Sequence, residues 1–134
     1  MFIGQTLATE NYDDGGGVTA RTATVYTDWF PRLGNAATFA FEVIFISDPD
    51  GSGDSAPTIK MTIQTKNLID YDGGSGQSDV ASVTATTAGV LPKYGENLLE
   101  LVRLKFEFYD DGAVPSERVM VTTFRALEPA WVTN

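Results

Sequence analysis

Asp48, Asp50, Ser52 and Asp54 fall at the first, third, fifth and seventh positions of a loop whose sixth residue is Gly53. Alternating oxygen donors around a tight glycine turn suit a hard cation such as Ca2+, so the three aspartates are the candidate metal ligands. The pattern stops there. Its twelfth position, where a bidentate carboxylate would close the loop, is Ile59, and a strand-like run follows instead of a helix. The simpler reading is a polar hairpin tip whose Asp and Gly residues serve turn geometry. Asp70, Asp72 and Asp79 form a looser set, spaced by Gly73, Gly74 and Gly76, whose backbone would be costly to order around an ion.

Catalytic options are few, because the 134 residues include no histidine and no cysteine. That removes imidazole-based triads, thiolate nucleophiles, disulfides and His- or Cys-ligated metals. What remains are carboxylates, lysines and tyrosines. A carboxylate pair can hydrolyse a glycoside. Glu42 is the best candidate, an acid inside an apolar strand, the setting in which a general acid is tuned by desolvation. It has no identifiable partner acid, and Arg21, Arg32 and Arg125 are all available to pair with it instead. No catalytic residue and no organic cofactor are assigned, and the expected function is non-enzymatic.

Aromatic residues suggest a binding surface. Trp29, Trp131, Tyr12 and Tyr71 lie beside turns or near the C-terminus, where rings presented by a sheet can stack on sugars. The plainer expectation is that Trp29 with Phe30, Pro31 and Leu33 plugs one end of the fold. Trp131, in the Pro129–Val132 tail, would then dock on its own chain or a neighbouring one.

The elements that must position these groups are strands. In Thr58–Lys66, Ile59, Met61 and Ile63 alternate with Lys60, Thr62, Gln64 and Lys66, predicting a half-buried strand with a wet outer face. Val102–Tyr109 alternates likewise, with Val102, Leu104, Phe106 and Phe108 on one face. Val18–Thr27, Val80–Thr87 and Val119–Leu127 are rich in β-branched residues. Asp- and Gly-rich clusters at 11–17, 47–54, 70–76 and 109–112 mark reversals. No run has a sustained helical period, although Glu96–Leu101 could begin as one turn. The expectation is a single all-β domain over residues 1–134: an antiparallel, jelly-roll-like β-sandwich of about seven or eight strands with no substantial helix.

One strand breaks the half-wet rule. Thr38–Ile46 places Phe39, Phe41, Val43 and Phe45 on one face and Ala40, Ile44 and Ile46 on the other, and Leu98–Val102 repeats the pattern more mildly. An apolar second face needs cover from a loop, a terminal segment or another subunit. The candidate interface residues are therefore Phe39, Phe41, Phe45, Trp29 and Trp131.

Charge narrows the partners. Eighteen acidic against nine basic residues give a net charge of −9, a field that repels nucleic acid and anionic membrane surfaces. The first residues, Met1–Thr6, carry no basic stretch and no long apolar run, so no signal peptide is expected and synthesis in the cytoplasm is. The first functional expectation is a self-associating structural subunit, such as a shell, decoration or tail component of a virion or phage. A carbohydrate-binding module, calcium-assisted through Asp48, Asp50 and Asp54, is the alternative, and a carboxylate-based glycoside-active enzyme comes third.

Overall fold

Alternating apolar residues and Thr/Val-rich runs dictate strands, and the strands dominate the chain. The computed structural model describes residues 3–13, 18–19, 21–46, 58–70, 76–110 and 118–132. The strands are β1 (Ile3–Asp13), β2 (Val18–Thr19), β3 (Arg21–Tyr26), β4 (Phe30–Pro31), β5 (Ala36–Ile46), β6 (Thr58–Lys66), β7 (Ser78–Ala85), β8 (Gly89–Gly95), β9 (Leu101–Asp110), β10 (Arg118–Ala126) and β11 (Ala130–Val132). Among the described residues there is no helix, and Glu96–Glu100 is an irregular connection that buries Leu98.

All pairings are antiparallel. The long strands pair as β1 with β10, β3 with β9, β5 with β8, and β6 with β7, so the first half of the chain is matched in reverse order by the second. Rolling this ribbon up brings β10 beside β5 and β9 beside β6. One sheet then runs β1-β10-β5-β8 and the other β3-β9-β6-β7. This is the jelly-roll order, a two-sheet antiparallel sandwich, as the turn spacing predicts.

Phenylalanines fill the space between the sheets. Phe39 and Phe41 of β5 and Phe124 of β10 face Phe106 and Phe108 of β9, all fully buried. Phe124 lies 4.9 Å from Phe106 and 5.1 Å from Phe108 between ring centroids, and Phe41 lies 5.6 Å from Phe106. Tilted and edge contacts of this kind add to the stabilisation from area burial. Phe39 and Phe41 were expected at an interface between subunits. They belong to the core of their own chain, because the inner face of β5 is covered by β9.

Phe45 departs from the alternation for a different reason. In the pairing with β10, Phe124 is opposite Val43 and Thr123 is opposite Phe45, leaving Ile44 as an extra residue. This β-bulge reverses the side-chain parity, so Phe45 leaves the Phe39–Phe41–Val43 face and is about half exposed, as is Ile44.

The sheet edge at β8 is protected by its sequence. Pro92 cannot donate a hydrogen bond, and Lys93 shares the inward face opposite Phe39, so neither favours strand addition from outside.

Candidate functional site

Three places on the described surface gather side chains that a sandwich alone does not need. The first is the outer face of the β3-β9-β6-β7 sheet. Between β3 and β4 the ladder is interrupted: Thr27 donates its N–H to the Leu104 carbonyl, and its Oγ1 accepts from the Leu104 N–H at 3.0 Å. Pairing resumes at Phe30 opposite Val102. Asp28 and Trp29 therefore span the single partner position of Arg103, and the extra residue turns the Trp29 ring over that guanidinium.

Arg103 is held between two rings, its Cζ 4.5 Å from the Trp29 centroid and 4.2 Å from that of Tyr26. Its Nε donates to Gln64 Oε1 at 2.9 Å and Nη2 to Gln77 Oε1 at 2.8 Å. Gln64 Nε2 in turn donates to Asp79 Oδ1 at 2.8 Å. Lys66 Nζ lies 5.0 Å from the Trp29 ring as well. Thr62 and Gln64 are both buried, Gln64 within this network, so the outer face of β6, expected to be wet, is covered there. The Trp29 indole N–H is buried without a hydrogen-bond partner among the described residues, so the ring contributes its face and not its donor. Trp29 was expected as part of an end plug with Phe30. The two diverge, Trp29 outward to Arg103 and Phe30 inward to the core.

The second place is the outer face of β5 and β8. Glu42 and Arg125 are cross-strand partners, with Glu42 Oε1 2.8 Å from Arg125 Nε. Glu42 is thus paired and partly exposed, the alternative weighed against a desolvated acid. Around the pair, Ile44, Phe45, Val90 and Tyr94 leave apolar surface in water.

The third place is the end of the sandwich. Trp131, on β11, docks on its own chain: its ring makes edge contacts with Phe39 at 5.9 Å and Phe30 at 6.4 Å. Phe30, Pro31, Leu33, Pro129 and Trp131 line an apolar recess of about 250 Å³. Close by, the turn after β6 leaves Leu68 67% and Ile69 93% exposed.

The candidate calcium ligands Asp48, Asp50 and Asp54 lie outside the described residues, as do Tyr71 and Asp72. Asp70 and Asp79 do not converge: Asp79 serves Gln64, whereas Asp70 Oδ2 accepts the Asn67 N–H at 3.0 Å. Among the described residues no three acidic side chains gather where an ion could sit. Sequence reasoning missed Arg103, Gln64, Gln77 and the Leu68–Ile69 pair. The pair had a signal, two large apolar residues between Asn67 and a cluster of turn formers, and the network had none. Comparison with protein families, characterised proteins and solved structures finds no match.

Proposed function

We propose that this protein is a non-catalytic structural subunit that assembles with further copies of itself, of the kind found in the shell, decoration layer or tail of a virion or phage. The observation that carries the reading is the bulge in β5. It places Phe45 beside Ile44 on an outer sheet face that also exposes Val90 and Tyr94, on paired strands where rigid apolar surface is available for burial. The jelly-roll order is compatible with such a role and with many others, so it supports the reading at the level of fold analogy. The acidic surface favours a position away from packaged nucleic acid. Sedimentation velocity tests the face directly. The double variant Ile44→Ser, Phe45→Ser is expected to stay folded and to sediment as a smaller species than the unmodified chain, and an unchanged assembly would overturn the reading of this face.

The Arg103 network favours a second reading, a carbohydrate-binding face. Tyr26 is about half exposed beside Arg103, Gln77 and Asp79, a ring next to planar polar groups that can meet sugar hydroxyls. Titration with a panel of polysaccharides is expected under this reading to change Trp29 fluorescence with saturation, and flat titrations would remove it. A calcium-assisted form requires a rise in melting temperature with millimolar Ca2+ that a chelator reverses.

A further inference from the structure

The end of the sandwich carries a projection and a recess side by side. The projection is the turn after β6. The Asp70 N–H donates to the Asn67 carbonyl at 3.0 Å, and the Asn67 N–H donates to Asp70 Oδ2 at 3.0 Å. Lys66 Nζ donates to the Asp70 carbonyl at 2.9 Å, and the Leu68 N–H donates to Glu100 Oε1 at 3.1 Å. Turns favour Gly, Pro, Asn, Asp and Ser. This one is fixed by four hydrogen bonds and holds Leu68 and Ile69 in water, the arrangement of an anchor whose ordering cost is met before binding.

The recess is fixed too, since Trp131 is wedged against Phe30 and Phe39 and backed by the close approach of Gly34 to Val132. Leu33, on its rim, is 72% exposed. Leu101 of β9 pairs with Pro31 on one side and Lys66 on the other. Pro31, which lines the recess, and Lys66, at the base of the projection, are therefore two strand spacings apart, about 10 Å. Glu100 joins them, its carbonyl accepting the Arg32 N–H at 3.1 Å while its carboxylate holds Leu68.

Because both features sit at one end of one chain, two copies meeting end to end about a two-fold axis can each seat a projection in the other's recess. Such a contact is isologous and closes on itself. Charge agrees: the projection carries Lys66 with Asp70 and Glu100, a net acid, and Arg32 stands in sequence between two residues of the recess, with Glu128 next to a third. We infer that this end is a two-fold self-association surface, with Leu68 and Ile69 of one copy occupying the Phe30–Trp131 recess of a second. The inference rests on the self-assembly reading and adds a surface and a symmetry. With the β5–β8 face as a separate contact, the subunit has two ways of meeting its neighbours and can build beyond a dimer.

The absence of cysteine makes the test clean, because one introduced thiol reports one position. Ile69→Cys protein is mixed with Leu33→Cys protein under mild oxidation, and in parallel with Thr84→Cys, an exposed position on β7. A mixed disulfide with Leu33→Cys at about tenfold or greater yield over Thr84→Cys is expected, since docking raises the local thiol concentration. Equal yields with the two partners, from unmodified protein that does associate, overturn this surface and leave the self-assembly reading standing. Unmodified protein that stays monomeric overturns both. Ile69→Asp, at an exposed position, is expected to keep its melting temperature and lower the mass of the assembly, and an unchanged mass contradicts the inference.

Discussion

Glu100 Oε1 accepts the backbone N–H of Leu68 at 3.1 Å, so an exposed carboxylate on the connection into β9 fixes the orientation of an exposed apolar pair on the turn after β6. The contact is exposed and neither residue belongs to the buried core. Its effect is to hold the Leu68–Ile69 projection at a set angle to the recess on the other side of β9.

Replacing that acceptor separates association from stability. Glu100→Ala removes one of the turn's four hydrogen bonds, the one that ties it to the connection into β9, while leaving the buried residues in place, and it is expected to change the unfolding free energy by less than about 1 kcal/mol. Self-association is expected to weaken several-fold, with Glu100→Gln, which keeps an acceptor, in between. Parallel chemical denaturation and sedimentation equilibrium measure the two effects, and a loss of stability without a loss of association would contradict the role given to Glu100.

Gly34 gives a second handle on the same end. A Cβ built there would stand 2.3 Å from the Val132 carbonyl oxygen, so Gly34→Ala must push β11 off β5. Overpacking against backbone has no flexible side chain to absorb it, and a destabilisation of about 1–3 kcal/mol is expected. Because Trp131 moves with β11, the variant is also expected to show red-shifted tryptophan emission, recorded against a Trp29→Phe background to isolate the Trp131 signal.

Arg103 is expected to resist conservative replacement. Lysine keeps the charge but cannot donate from a planar fork to Gln64 and Gln77 while stacking between Tyr26 and Trp29. Arg103→Lys is expected to cost about 1–2 kcal/mol, and Arg103→Met more, because the buried Gln64 carbonyl then loses its Arg103 donor. Near-ultraviolet circular dichroism reports the ordering of Tyr26 and Trp29, and an unchanged spectrum in Arg103→Met would show that the rings do not depend on the guanidinium.

The core separates the two kinds of phenylalanine. Phe124→Ala removes a ring in contact with Phe106 and Phe108 and is expected to cost about 3–5 kcal/mol, whereas Phe45→Ala, on the outer face beyond the bulge, is expected to leave the melting temperature nearly unchanged. A large destabilisation by Phe45→Ala in monomeric protein would place Phe45 back inside.

Much of this fold was legible in the residues, for physical reasons. The period of two in Thr58–Lys66 and Val102–Tyr109 set the inner faces of β6 and β9, and the absence of any helical period left a sandwich or a closed barrel to bury them, of which the two-sheet sandwich is found. Parity failed at β5, because a bulge is a property of the pairing between two strands, and the sequence of one strand does not reveal it. β8 was missed since Gly89, Pro92 and Gly95 are poor strand formers, tolerated here at a sheet edge. Arg103, Gln64 and Asp79 come from three strands, so their convergence follows from sheet order and had no local signature. That Glu42 pairs with an arginine could be anticipated from its place in an apolar strand, but the choice of Arg125 over Arg21 and Arg32 comes from the register of β5 and β10.

Multi-angle light scattering from the unmodified chain, followed from low to high micromolar concentration, tests the self-assembly reading most directly. A discrete species with at least twice the 14.5 kDa chain mass, dissociating on dilution or persisting as a closed oligomer, is the expected result. A scattering mass that stays at 14.5 kDa throughout would contradict it.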